Sequence, residues 1–324
     1  MADYQDIRGL RVKYLSADPS NPETGEVWYN STSGTLKTYI LAPGTVASSG
    51  GVNTGATQLG SCGITSAGLK FGGESPSLTG ITEEFDGSSW TNGGTCPAAK
   101  SDMHGSGTQT AALWGGGSPS SSGSFEYNGA SWTAGGAMTF AGRDFTGGGV
   151  GLQTAALQIG GFISPGNLSD VMQEYNGTSW SNIPQTFPTA ADTGGFGSCG
   201  TQTAALSSGG SGNNTNNLSW NGASWTTENS LNIGVSAQVQ TGTSTLAVCV
   251  SGHPANPPSY SNEIQTWDGT NWSTSPATLG SGRAQAAGGG TTTSAWVAAG
   301  APGPLTSTEI YSGPALATRT LTTS

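Results

Sequence analysis

Charge is scarce in this 324-residue chain: Asp, Glu, Lys and Arg make up 9% of it, with nine Lys and Arg against nineteen Asp and Glu and a net charge of −10. So few cations in an acidic chain cannot neutralise a phosphate backbone, which excludes sequence-independent nucleic-acid binding. Bulky apolar residues are also sparse. The hydrophobic fraction is 33%, low for a conventional globular core, and no apolar run is long enough to span a bilayer. The opening Met1-Ala2-Asp3-Tyr4-Gln5-Asp6 holds two acids and no apolar h-region, so no secretory signal is expected and the chain is expected to be made in the cytosol. The four cysteines, Cys62, Cys96, Cys199 and Cys249, lack zinc-ligand spacing and are expected to be free thiols. No G-x-S-x-G elbow, phosphate loop or paired metal-binding carboxylate motif is present, so the chain is not expected to be an enzyme or to need a cofactor or metal.

Glycine is what the chain has in excess, 54 residues beside 16 prolines, and it is periodic. Residues 107–117 read G-T-Q-T-A-A-L-W-G-G-G, 151–161 read G-L-Q-T-A-A-L-Q-I-G-G, and 200–210 read G-T-Q-T-A-A-L-S-S-G-G. Weaker copies begin at Gly63, Gly242 and Gly290, so the starts fall 44, 44, 49, 42 and 48 residues apart. That period suits one propeller blade and is too long for a solenoid coil.

A second element follows each first one: Phe85-Asp86-Gly87-Ser88-Ser89-Trp90 and its counterparts ending at Trp132, Trp180, Trp225 and Trp272. Asx-Gly between β-prone runs predicts a hairpin. With Asn128-Gly129 as a two-residue loop, Tyr127 is expected opposite Ala130, and Phe125 opposite Trp132. A sixth copy, Tyr311-Ser312-Gly313-Pro314-Ala315-Leu316, puts Leu316 in the Trp position. The Trp series is read as blade packing, one wedge per repeat. Glu84, Glu126 and Glu174 recur at one register position, which separates them around a ring and makes them polar strand residues rather than a catalytic pair.

The Gly-Gly pair, the aromatic and the spaced Trp over roughly residues 53–323 resemble the kelch motif. The resemblance implies an all-β chain: a six-bladed kelch-like β-propeller of four-stranded antiparallel blades, with an N-terminal extended and hairpin module. Domains are expected at 1–45 (anchoring module) and 46–324 (propeller). Kelch-type propellers also underlie copper radical oxidases, but His104 and His253 fall in different repeats, far from the two-His, two-Tyr, one-Cys set that such a site requires. In this architecture the short strand-one-to-two and three-to-four turns share one face. The long, varied loops 117–123, 161–170, 210–216, 252–261, 93–103, 134–144 and 183–193 share the other, where recognition is expected.

Residues 14–40 lie outside the repeat. Asp-Pro and Asn-Pro impose an extended lead-in, and Val27–Asn30 with residues 35–40 form a hairpin around Ser31–Gly34. A lone hairpin is marginal in water, so an exposed apolar set of Trp28, Tyr29, Leu36 and Tyr39 is expected to anchor it to a partner. The string D-P-x-N-P-x-x-G-x-x-W-Y-N-x-T-x-x-x-L-K-x-Y, spanning about 25 residues, resembles a short module of tailed-bacteriophage virion proteins, especially those of cyanobacterial and marine phages. The resemblance implies a virion structural protein, a tail or capsid appendage assembled in the host cytoplasm. Its partners would be other virion proteins and a host-surface glycan, with no nucleic acid and no membrane insertion. A cellular carbohydrate-binding or scaffold kelch propeller is the alternative. Lys100, Arg143 and Arg283 precede their repeat starts by 7, 8 and 7 residues. They are candidates either for a basic ring that binds an anionic sugar or for buried pairs with Asp102 or Asp144 that fix loops.

Overall fold

The structure, a computed structural model, describes residues 12–143, 150–163, 167–188, 195–210, 212–254 and 259–322. Among the described residues there is no helix, and the strands form seven sheets. They fall into two compact units, 45–312 and a small unit of 1–44 with 313–324.

In the larger unit the architecture is propeller-like, six antiparallel sheets following the repeat. The first holds Gly60–Ile64, Ala67–Phe71, Thr82–Phe85 and Trp90–Asn92 in that order, and the second His104–Thr108, Ala111–Gly115, Ser124–Tyr127 and Trp132–Ala134. In the third, Gly142–Arg143 and Val150–Leu152 both pair with Ala155–Ile163, followed by Asn167–Tyr175 and Trp180–Thr186. The fourth holds Phe196–Thr201, Ala204–Gly209, Asn217–Trp220 and Trp225–Thr227. In the fifth, Val235–Ser236 and Val239–Gly242 pair with Ala247–Pro254, followed by Ser261–Trp267 and Trp272–Thr274. The sixth is Ala287–Gly290, Ser294–Ala298, Thr308–Ser312 and, from the other end of the chain, Thr45–Ser49.

That last strand corrects the sequence reading, which drew the sixth sheet's outer strand from residues after Ser312 and placed the domain boundary at 45/46. In the other copies an Asx side chain accepts from the N–H two residues on; the sixth has Ser312 there and Pro314, which has no N–H. The hairpin therefore fails. Val46, opposite Tyr311, takes the Trp position, and Ala315–Thr320 pairs with Thr35–Ala42 in the small unit, Leu316 opposite Leu41.

The five hairpins that do form differ from expectation by two residues of register. Tyr127 stands opposite Trp132 and Phe125 opposite Ala134, around a four-residue loop. Asn128 Oδ1 accepts from the backbone N–H groups of Ala130 at 3.0 Å and Ser131 at 2.9 Å, so the side chain closes the turn and only Gly129 needs positive φ, +88°. A type I′ turn would need two such residues. Because the shift is by two residues, the Tyr and Trp keep a common face, with ring centroids 4.9 Å apart.

The core is six clusters rather than one, each drawing on two consecutive sheets. Phe71, Trp114 and Trp132 join the first and second sheets, Leu113, Tyr175 and Trp180 the second and third, Ile159, Phe196 and Trp220 the third and fourth. Leu206, Trp267 and Trp272 join the fourth and fifth, and Val250, Ile264 and Tyr311 the fifth and sixth. The remaining cluster, Trp296, Phe85 and Trp90, joins the sixth to the first. First strands neighbour one another in the same order, sixth against first included. Each thin sheet is covered on both faces, which is how a chain with so few bulky residues buries enough apolar surface.

The repeat-start glycines are forced by backbone geometry. Gly63, Gly107, Gly151, Gly200, Gly242 and Gly290 all have φ between +92° and +143°, and a Cβ on Gly107 would meet the Ala111 carbonyl oxygen at 2.2 Å. Only glycine fits there.

In the small unit the order is Lys13–Leu15, Val27–Asn30, Thr35–Ala42, Ala315–Thr320, the first pair parallel. Two flanking strands supply what the isolated hairpin lacks.

Candidate functional site

The backbone that enters each first strand is built the same way in sheet after sheet. Gln58, Asp102, Ala237 and Gln285 adopt left-handed φ of +52° to +57°, and Gly195 +75°. Each donates its N–H to the corresponding carbonyl of the preceding sheet: Asp102 to Gln58 at 3.0 Å, Gln58 to Gln285 at 2.9 Å, Gln285 to Ala237 at 2.9 Å and Ala237 to Gly195 at 2.5 Å. The third sheet's place in this belt falls within 144–149, outside the described residues. Left-handed non-glycine residues are strained; here each strained residue carries a sheet-to-sheet hydrogen bond. The glycines at the Gly-Gly position, preceded by Ser251 and Ala299 in the last two sheets, add a second row: Gly73 donates to the Lys100 carbonyl at 2.7 Å, Gly117 to Gly142 at 2.9 Å, Gly210 to Val235 at 2.9 Å, Gly252 to Arg283 at 2.8 Å and Gly300 to Ala56 at 2.8 Å.

This frame fixes the three candidate cations. Lys100 and Arg283 occupy equivalent backbone positions, but their side chains serve the protein. Arg283 is fully buried, ion-paired with Glu309, and donates to the Ser307 carbonyl at 3.0 Å and hydroxyl at 3.0 Å. Half-buried Lys100 donates to the Pro119 carbonyl at 2.7 Å, pinning loop 117–123. Arg143 is one residue out of step, the matching carbonyl being that of Gly142, and its side chain lies outside the described residues, as does Asp144. Arg283 thus fixes a loop through Glu309, and Asp102, a suggested partner, accepts from Gln58 Nε2 at 3.0 Å.

Of the recognition loops, 144, 164–166, 189–193, 211 and 255–258 lie outside the described residues. Within the larger unit, a cavity of about 140 Å³ is lined by the first strands, including Ser61, Cys62, Cys199, Gln240, Thr241 and the repeat-start glycines. The four cysteines are free and buried; burial pushes the Cys199 thiol up to about 12, where it is a poor nucleophile. Among the described residues no three His, Cys, Asp or Glu side chains gather as metal ligands.

Two of the three recurrent glutamates bind a tyrosine of the next sheet, while Glu174 accepts from Ser181 Oγ of its own sheet at 3.5 Å. Tyr127 donates to Glu84 of the preceding sheet at 2.5 Å, and Tyr175 to Glu126 at 2.5 Å. Burial, with the carboxylate hydrogen bond next, pushes both phenols up to about 12. A further set escaped the sequence reading: Gln109, Gln153 and Gln202 of the strict G-x-Q-T copies. Gln109 Nε2 reaches the Gly68 carbonyl at 3.0 Å and the Phe85 carbonyl at 2.8 Å in the preceding sheet, and the other two do the same one and two sheets on. Its confinement to the three closest copies was the available signal.

In the small unit, Asp18 is the centre. Its carboxylate accepts from Trp28 Nε1 at 3.0 Å, Asn30 Nδ2 at 2.7 Å and Lys37 Nζ at 2.8 Å. Lys37 above all, then Asn30 and Trp28, hold the carboxyl down to about 2. Trp28, expected to be exposed, is fully buried, with its indole N–H donating to the exposed Asp18 carboxylate. Tyr29, Leu36 and Tyr39 are half-buried, and Tyr29 stacks on exposed Tyr14 at 5.2 Å. Exposed apolar area comes instead from Val12, Tyr14, Ile40, Leu41, Leu316 and Leu321.

Compared with protein-family models and with curated proteins, the chain matches none.

Proposed function

We propose that this protein is a structural component of a tailed-bacteriophage virion, an appendage whose small unit attaches to another virion protein and whose larger unit recognises a host-surface glycan or a neighbouring virion protein. The observation that carries the reading is the Asp18 cluster. Four of the motif residues that resemble the phage virion module, Asp18, Trp28, Asn30 and Lys37, meet through one carboxylate, so the string behaves as a folded attachment unit distinct from the repeats.

The larger unit is read as a closed six-bladed propeller of kelch-like type. Supporting this are the sixth-to-first cluster, the Gln58–Gln285 and Gly300–Ala56 hydrogen bonds, and Ser61 Oγ donating to the Gly288 carbonyl at 2.9 Å. A scaffold that spends its buried polar groups on sheet-to-sheet bonds and shows Ser, Thr, Asn and Gly in its loops suits recognition of neutral hydroxyl-rich ligands better than catalysis. That also favours the second reading, a cellular carbohydrate-binding or scaffold propeller.

Immunogold labelling with antibody against the whole chain tests the choice. Label on the particles of a phage encoding the chain is expected. Particles that remain bare while label stays in the cell would overturn the virion reading.

A further inference from the structure

Six similar sheets in one chain pose a pairing problem: each second strand could accept the third strand of another sheet. One register does nothing to prevent this. A small residue faces an aromatic in all six: Gly68 with Phe85, Ala112 with Tyr127, Ala156 with Tyr175, Ala205 with Trp220, Ala247 with Trp267 and Ala295 with Tyr311.

Two residues along the same strands the pairs differ in every sheet. Lys70 faces Glu83 in the first, Trp114 faces Phe125 in the second, and Gln158 faces Gln173 in the third. Ser207 with Leu218, Cys249 with Gln265 and Val297 with Glu309 follow. All twelve side chains are buried except half-buried Phe125. In the first three sheets the partners match in kind: an ion pair at 2.7 Å, rings with centroids 4.9 Å apart, and a hydrogen bond from the Gln173 amide to the Gln158 amide oxygen at 3.3 Å. Glu83 also accepts from the backbone of Asn53 at 2.7 Å and Thr54 at 2.9 Å, and Gln173 from Thr139 at 2.7 Å, so carboxylate and amide perform the same second task.

We propose that this buried register position is a sheet-identity code, by which the second strands of the first three sheets select their own third strands during folding. Ala67–Phe71 laid against the third strand of the third sheet would keep the small–aromatic contact but set Lys70 against Gln173, a buried ammonium without its carboxylate. A buried polar pair that fixes register is the best-attested use of such pairs.

The test duplicates and then exchanges the code in the full chain, reading the fraction recovered as monomer after dilution from denaturant, by size-exclusion chromatography with light scattering. The variant K70Q/E83Q gives the first sheet the third sheet's pair. Two equivalent partners predict that recovery falls about twofold. The exchange K70Q/E83Q/Q158K/Q173E makes every sheet distinct again and is expected to restore the parental recovery. Parental recovery of the first variant would overturn the proposal. So would equally low recovery of both, since that means the ion pair merely stabilises the first sheet.

Discussion

The indole nitrogen of Trp132 lies 2.9 Å from the hydroxyl oxygen of Thr82 in the preceding sheet, and Trp90 stands at the same 2.9 Å from Thr308. These two wedge tryptophans are thus oriented as well as buried, with third-strand hydroxyls as acceptors, whereas half-buried Trp225 turns its indole N–H to Met172 Sδ at 3.1 Å. Where Val46 replaces the wedge, the corresponding residue of the fifth sheet is Ile264, and both join one apolar cluster. Trp132→Phe leaves the buried Thr82 hydroxyl without its donor and is expected to lower stability by about 1–3 kcal/mol, whereas the pair W132F/T82V recovers part of it. Urea unfolding of the two variants checks this.

Arg283 and Lys100 separate loop fixation from ligand binding. Arg283→Ala strands Glu309 in the core and is expected to cost about 3–5 kcal/mol, while Lys100→Ala, which frees one loop carbonyl, costs about 1 kcal/mol. Thermal denaturation of both shows whether the cations belong to the scaffold; a negligible effect of Arg283→Ala would remove that role.

Gly107→Ala and Gly303→Ala make a matched pair. Both positions have positive φ, but nothing lies within 4 Å of a Cβ at Gly303, whereas Gly107 meets a carbonyl oxygen. The Gly303 variant is expected to lose about 1–2 kcal/mol for the left-handed backbone alone, and the Gly107 variant clearly more, by chemical denaturation.

Two turns carry an acid where the others carry Asn. The backbone N–H groups of Ser89 and Ser88 hold the Asp86 carboxyl well below its usual range, and those of Asn271 and Thr270 do the same for Asp268. Because the folded-state value is depressed, the stabilisation is complete above the ordinary value of about 3.9 and is lost as pH falls through the folded one. D86N/D268N, matching the three Asn turns, is expected to flatten the decline of Tm between pH 5 and 2, measured by circular dichroism.

Asp18 obeys the same rule with a different donor. Lys37, Asn30 and Trp28 depress its carboxyl to about 2, so acidification through that value is expected to release the Trp28 indole from its acceptor. Tryptophan fluorescence of the parent and of D18N follows this: the parent changes at low pH, and D18N shows the altered signal already at neutral pH.

How much of this could be read beforehand depended on where each signal lies. Strands, repeat period and wedge tryptophans came from spacing, because small and aromatic residues recur wherever one sheet packs on the next. The hairpin register was missed because Asn128 acts through its side chain, which Asx-Gly spacing does not distinguish from a type I′ turn. Pro314 in the sixth copy did announce the missing hairpin, since it removes the N–H the Asx turn needs. The belt through Gln58, Asp102, Ala237 and Gln285 had no signal at all: the residue types share nothing but their backbone conformation. Lys100 and Arg283 share a backbone position ahead of a first strand, yet Glu309, which captures Arg283, belongs to a third strand 26 residues on, a distance that spacing cannot bridge.

Thr45–Ser49 pairs with Thr308–Ser312, and Thr35–Ala42 with Ala315–Thr320. During synthesis both early strands therefore leave the ribosome more than 250 residues before their partners exist. Until the closing segment emerges, Thr45–Ser49 and the edge of Thr35–Ala42 that faces away from Val27–Asn30 stay without partners, open strand edges from which a stalled chain would aggregate.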